Sequence, residues 1–292
     1  MDLVLRVAQV ITPVFLIIGV GYFYGRRHNP DLTVLNRVAL DVLTPAIIYA
    51  GLASRGFQLA EHGKLLLGML GMMLGCGLIG WPLARWLGVQ PRTLVPVLMF
   101  NNSGNMGLPV ALLAFGQAHF GASVMLFAVG TLLHFSLGAR ITNPAARTGD
   151  MLKSPVVIAA VLGFASALSG LRPPEPVMIG IRMLGDACLP LMLFTLGVRL
   201  IALTRAGWRL GLAGALARPI LGMALTLALA WLLGITGVER AQLVLYGALP
   251  PAVIQYLLAE RYGQEPEKVA AMTLLGNAFA LVFVPLALLI GL

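Results

Sequence analysis

Charge is scarce in this sequence. Charged residues make up 11% of its 292 residues, where an ordinary soluble domain carries about 25%. Apolar residues make up 59%, so there is too little polar material to cover a soluble fold of this size. That excludes a soluble enzyme and a disordered chain. Cysteine is also scarce. Cys76 and Cys188 sit inside apolar segments without a CxxC or a nearby His, which excludes a disulfide scaffold and makes both read as small hydrophobes. There is no HExxH, no G-x-S-x-G and no Walker A. No enzyme activity, catalytic residue, metal or cofactor is therefore expected, and work done by the protein must draw on gradients or the membrane potential. Acidic residues are outnumbered, 11 to 20, for a net charge of +9. Nucleic acid is not expected as the partner, because loop arginines that orient membrane helices explain the excess.

The lipid bilayer is the expected partner. Ten apolar segments can be marked, at roughly 4–25, 33–53, 64–87, 94–115, 121–141, 154–171, 177–199, 209–233, 240–259 and 269–291. Each is long enough to span as a helix, and none alternates as a barrel strand would. The predicted fold is an all-α polytopic membrane protein with ten transmembrane helices. The first apolar stretch ends in Gly25-Arg26-Arg27-His28, not in a small-residue cleavage site, so it reads as a span and not a signal peptide.

Loop charge sets the orientation. With the N-terminus outside, 13 basic residues fall inside, among them Arg26, Arg27, Arg140, Arg147, Arg199 and Arg205. Six fall outside: Arg6, Arg55, Lys64, Arg172, Arg182 and Arg240. Arg218 alone falls within a span. This bias predicts a multi-pass protein of the cell (plasma or inner) membrane with both termini outside.

The halves repeat. Asp41-Val42-Leu43-Thr44-Pro45 matches Asp186-Ala187-Cys188-Leu189-Pro190, and Trp86-Leu87-Gly88 matches Trp231-Leu232-Leu233-Gly234, both at an offset of 145 residues. Five helices per half force the second half to enter the membrane the opposite way. The expected units are residues 1–145 and 146–292, an inverted-topology repeat of the kind common in secondary transporters.

The most unusual segment is Phe100-Asn101-Asn102-Ser103-Gly104-Asn105-Met106-Gly107-Leu108-Pro109, in the middle of helix four. Gly and Pro weaken a helix, and unsatisfied backbone at membrane depth must be buried or line a wet cavity. A broken helix is therefore predicted. Its half-helix N-terminus suits an anion, and amides add donors and acceptors without a buried charge. Leu249-Pro250-Pro251-Ala252, followed by Gln255, is the corresponding interruption in helix nine. Paired interruptions point to a transport site; a simple proline kink remains the alternative for helix nine.

The run Asn102-Ser103-Gly104-Asn105-Met106-Gly107-Leu108-Pro109 resembles the N-x-G-N-x-G-x-P signature of the auxin efflux carrier family. The end of helix one, the Pro45 and Pro190 motifs, the Pro250-Pro251 region and Pro285 are also similar, so the resemblance covers the whole chain. It implies a crossover of broken helices four and nine, as in sodium–bile acid symporters. Helices 1, 2, 6 and 7 would form a scaffold and helices 3–5 and 8–10 a moving domain. A homodimer through the scaffold is implied, with a small organic anion as substrate. Asn102 and Asn105 would hold substrate or order the crossover, and Pro109 and Pro251 would make it. Asn101, Gln255 and Arg218 complete the candidate substrate site. Relatives often carry Ser or Thr where Asn277 and Ala280 stand, which leaves an ion-coupling site open. The short connection between helices five and six argues against the regulation of the plant exporters.

Four ionisable residues lie within spans, where each needs a partner or water. Arg218 either attracts a carboxylate, pairs with an acid, snorkels or bonds freed carbonyls. Asp41, Asp186 and His134 are candidates for coupling, with Asn277, or are structural hydrogen-bonding groups. The expected function is a secondary carrier of a small organic anion, such as an auxin-like or dicarboxylic acid, working by elevator-type alternating access. The alternative is a sodium- or proton-coupled symporter of a neutral or amphipathic solute.

Overall fold

The computed structural model describes residues 3–54, 57–145, 149, 153–202 and 208–291. Arg55, Arg147 and Arg205, which enter the loop-charge argument, lie outside the described residues, as does much of the polar stretch at the midpoint. Among the described residues the fold is all-helical, with no strand longer than one isolated bridge.

We label the helices in chain order. They are α1 (Leu3–His28), α2 (Thr33–Leu52), α3 (Gly63–Trp86), the pair α4a (Pro91–Met99) and α4b (Ser103–Phe115), α5 (Gln117–Thr142), α6 (Pro155–Ser169) and α7 (Glu175–Arg199), then α8 (Trp208–Leu233), the pair α9a (Gly237–Ala248) and α9b (Ile254–Tyr262), and α10 (Pro266–Gly291). Seven of these, α1, α2, α3, α5, α7, α8 and α10, are long and apolar enough to cross a membrane. The other three predicted segments take a different form. α6 is a shorter apolar helix, and segments four and nine are each interrupted. The protein is therefore a polytopic membrane protein. Large apolar side chains such as Phe23, Leu78, Trp86 and Trp231 stand out from the bundle, as a lipid-facing surface requires.

Two packing groups recur in the contacts. α7 packs on α1 and α2, and α2 also packs on α6. α8 packs on α3, α9a and α10, while α3 packs on α4a. Small residues bring the first group together. A Cβ at Gly197 would lie 2.0 Å from the Ile18 carbonyl oxygen, and one at Gly21 would lie 2.1 Å from that of Phe194. Only glycine allows α1 and α7 to approach so closely, the usual solution where helices pack in lipid.

Proline explains two local widenings. α2 takes a π-helical turn over Ala39–Leu43 and α4b one over Ser103–Gly107. Pro45 and Pro109 follow these turns by two residues. Each ring would otherwise collide with the carbonyl four residues back, at Asp41 and Asn105, and widening the turn relieves the clash. The matching Pro190 leaves α7 continuous, so the repeated Asp…Pro motif has two different structural outcomes.

Candidate functional site

The interruptions of segments four and nine meet. Residues 100–102 and 250–252 leave the helices and meet antiparallel, with Asn101 opposite Pro251. The Asn102 N–H donates to the Pro250 carbonyl at 2.8 Å, and the Ala252 N–H donates to the Phe100 carbonyl at 3.0 Å. A break in a helix orphans backbone groups, and here each break satisfies part of the other. The pairing corrects one expectation. Of the two prolines expected to make the crossover, Pro251 is in the paired segment, where Asn101 stands opposite it, and Pro109 is not, lying inside α4b beyond its widened first turn.

Side chains reinforce the pairing. Asn102 Nδ2 donates to Asn277 Oδ1 at 2.7 Å, and Asn277 Nδ2 donates to the carbonyls of Thr273 at 2.8 Å and Pro251 at 3.2 Å. Asn277, on α10, thus ties both breaks to a third helix. Asn101 Nδ2 donates to the Tyr246 carbonyl at 2.7 Å, in the last turn of α9a.

Arg218 serves the same helix end. It is fully buried on α8, and its Nη1 donates to the Gly247 carbonyl at 2.9 Å while Nη2 reaches the Tyr246 carbonyl at 3.5 Å and Met72 Sδ at 3.7 Å. The C-terminal end of a helix carries partial negative charge, which the guanidinium offsets. Gly222 makes this approach possible, because a Cβ there would lie 2.1 Å from the Gly247 carbonyl oxygen. Arg218 does not line the cavity described next. Of the roles open for it, the bonds are those of an arginine on freed carbonyls, and the carbonyls belong to α9a, not to its own kink at Pro219.

A cavity of about 140 Å³ opens on one side of the paired breaks, lined among others by Asn101, Asn102, Ser103, Gly104 and Asn105 of segment four and by Ala252, Val253 and Ile254 of segment nine. It is roughly ten times the 10–15 Å³ of the same measure that one water needs. The N-terminal turns of α4b and α9b both begin at this wall, and no side chain caps either. In α9b the Gln255 and Tyr256 N–H groups already donate to the Ala252 and Val253 carbonyls, so the free donors at a positive dipole end are those of the first turn of α4b. The opposite wall comes from α2 and α7, including Asn36, Thr44, Thr195 and Arg199.

His134 also lines the cavity. Its ring lies flat on Phe100, centroids 4.1 Å apart and 3° from parallel, and its Nε2 is 2.6 Å from Gln255 Oε1. Gln255 Nε2 donates to Thr142 Oγ1 at 3.3 Å. Gln255 is buried behind the wall and joins α9b to α5. Asp41 and Asp186 are not brought to the site. Both are exposed on the outside of the bundle, and neither makes a hydrogen bond or ion pair among the described residues. The expectation that they accept hydrogen bonds near a helix break is therefore corrected: on exposed helix surfaces their carboxylates find no donor among the described residues. Arg199 is the site residue that sequence reasoning missed. Its place at the end of an apolar segment made it read as one more loop cation.

Comparison with known proteins agrees with a membrane transporter. Residues 146–288 match the family model described as "Membrane transport protein". An uncharacterized transporter of Methanocaldococcus jannaschii is 23% identical over 300 residues, covering 95% of this chain and 96% of its own. A candidate malonate transporter of Rhizobium meliloti is 27% identical over 296 residues, covering 92% and 91%. The resemblance to the auxin efflux carrier family, read from the motif in segment four, is borne out.

Proposed function

We propose, from the match of its second half to the membrane transport protein family, that this chain is a secondary carrier of small organic anions working by an elevator. The observation that carries this reading is the uncapped N-terminus of α4b at the cavity wall, with the amides of Asn101, Asn102 and Asn105 beside it. A carboxylate placed there meets free N–H donors and a positive dipole end without the cost of a buried lysine or arginine on that wall. The malonate named for the Rhizobium relative belongs to this chemical class. Pro251 shapes the second break, Gln255 braces it from behind, and Pro109 sets the turn that widens the entry to α4b.

In this proposal the chain spans the cell membrane ten times with both termini outside, as inverted repeats of residues 1–145 and 146–292. The two packing groups support a scaffold of α1, α2, α6 and α7 and a moving domain of α3–α5 and α8–α10. The cavity lies between them, as an elevator requires. Two copies would join through the scaffold. Asp41 and Asp186 support this, since an ionisable group on a lipid-facing surface costs about 2.5–3.5 kcal/mol and a second copy would cover it. The test is transport in proteoliposomes with a panel of mono- and dicarboxylates. Uptake of a member of the panel, lost in a folded Asn105→Ala variant, is the expected result. Transport unchanged by that substitution would overturn the site.

A further inference from the structure

The wall of the cavity facing the breaks carries a cation. Arg199 ends α7, and its Nη2 donates to Asn36 Oδ1 of α2 at 2.9 Å. Both residues line the cavity with the Asn102–Ser103–Gly104–Asn105 entry to α4b. Among the described residues Arg199 is the one permanently charged side chain on the lining, and no carboxylate lines it. A guanidinium has five N–H donors in a fixed fork, and its hydrogen bond to Asn36 uses one of them. Asn36 is neutral. It orients the fork without cancelling its charge.

The geometry points to Arg199 as the residue that selects dicarboxylates over monocarboxylates. This inference rests on the anion-carrier reading and deepens it. One carboxylate of the substrate occupies the N-terminal turn of α4b, and the second meets the Arg199 guanidinium across the cavity. A monocarboxylate can satisfy only one of the two walls and leaves the other donor set without an anion. Because a partly desolvated cation without a counter-charge is unfavourable, the second carboxylate gains the charge-assisted pair that a neutral group cannot supply.

The placement has a mechanical consequence. The α4b entry belongs to the proposed moving domain, whereas Asn36 and Arg199 belong to the proposed scaffold. A dicarboxylate therefore bridges the two bodies in this conformation, and the Arg199 contact must break before the moving domain can travel. Arg199 adds affinity at the face where α2 begins and α7 ends, and it adds nothing once the site has moved away. Removing it should raise KM at that face for dicarboxylates without lowering the maximal rate.

The test uses the full-length protein, purified and reconstituted, with malonate and succinate as dicarboxylate probes and their monomethyl esters as probes with one charge removed. The expected result for the wild type is tighter binding of the diacids than of their esters, by tenfold or more. Arg199→Gln should bring the diacids down to the level of the esters while ester affinity stays within about twofold. Arg199→Lys, which keeps the charge but not the fork, should fall between, and it guards against a folding defect in the glutamine variant. A diacid-to-ester ratio unchanged in Arg199→Gln overturns the role of Arg199, and so does an equal loss for both probe classes in both variants. If the wild type binds neither class and Asn105→Ala changes nothing, the anion-carrier reading falls and this inference falls with it. Retained ester binding that Asn105→Ala abolishes keeps that reading standing when Arg199 fails.

Discussion

The two interrupted helices share a backbone plan and differ in chemistry. In both, a segment outside the helices meets its counterpart, and in both the second half-helix starts uncapped at the cavity. Their first half-helices end differently. α9a ends against Asn101 and the buried guanidinium of Arg218, whereas the repeat position of Arg218 in the first half is Met73. Segment four presents amides to the cavity, and segment nine presents Ala252, Val253 and Ile254. The backbone plan is common to both breaks, and the side chains divide the work, with segment four facing the cavity and segment nine anchored.

Removing the anchor should have the largest effect. Arg218→Met leaves the Gly247 carbonyl without its donor in a dry interior, while the Tyr246 carbonyl keeps its bond from Asn101, and an unsatisfied group there costs about 1–3 kcal/mol. We expect destabilisation of that size, seen as a clear fall in the unfolding temperature of the purified protein. Arg218→Lys should recover part of it. A stable Arg218→Met variant that loses only substrate affinity would break the comparison, because it would make Arg218 a ligand contact.

Next in size is the amide that faces the cavity. Asn105 lines it and makes no side-chain hydrogen bond among the described residues, so Asn105→Ala should leave the unfolding temperature within about a degree. Losing one hydrogen bond to a charged ligand costs about 1.5–3 kcal/mol, which is a loss in binding of roughly tenfold or more. Gln255→Ala, on the anchored break, should do the reverse and move stability more than affinity. Titration of both variants with the carboxylate panel separates the two effects.

Asn277→Ala sharpens the comparison from a third helix. Its side chain accepts from Asn102 and donates to the Pro251 carbonyl, so it serves both breaks at once. Buried hydrogen bonds within membrane proteins average about 0.6 kcal/mol and reach about 1.7, and we expect about 1–2 kcal/mol here because two breaks are loosened. Thermal unfolding measures it. A null result in stability would mean that the backbone pairing alone holds the breaks.

Much of this was legible in the sequence, for identifiable reasons. Asn101, Asn102 and Asn105 stand out because three amides, two glycines and a proline have no reason to occupy an ordinary lipid-facing helix. The length of the apolar runs, without strand-like alternation, located the helices. The register at the break was not legible, because the pairing depends on where each helix stops, which puts Asn101 and not Pro109 opposite Pro251. Asp41 and Asp186 illustrate a second limit. A motif shows that a carboxylate precedes a proline by one turn, but not which face of the helix it occupies. Arg199 shows a third. Loop cations are abundant in such proteins, and only the packing of α2 beside α7 turns one of them toward the cavity.

The smallest effect concerns the ties that hold each first half-helix to the other half of the chain. In the middle of α9a, Gln242 Nε2 donates to the His119 carbonyl at 2.8 Å and to Ser123 Oγ at 2.9 Å, near the start of α5. At the start of α4a, Thr93 Oγ1 donates to Glu265 Oε2 at 2.6 Å, in the connection before α10. The first tie is neutral and the second is ionised, so pH separates them. Partial desolvation pushes the Glu265 carboxyl up, but donation from Lys268 and Thr93 outweighs it and holds the group below its ordinary value of 4.5. A carboxyl depressed in the folded state contributes stability that is present above its unfolded value and lost as pH falls through its folded one. Unfolding temperature should therefore decline below about pH 4.5. In Thr93→Val, which removes one donor, the Glu265 pKa rises toward its unfolded value, and the Glu265 contribution to that decline shrinks. Gln242→Leu, on the neutral tie, should lower stability by a similar small amount at every pH. Equal pH profiles for the two variants would mean that the ionised tie carries no more than the neutral one.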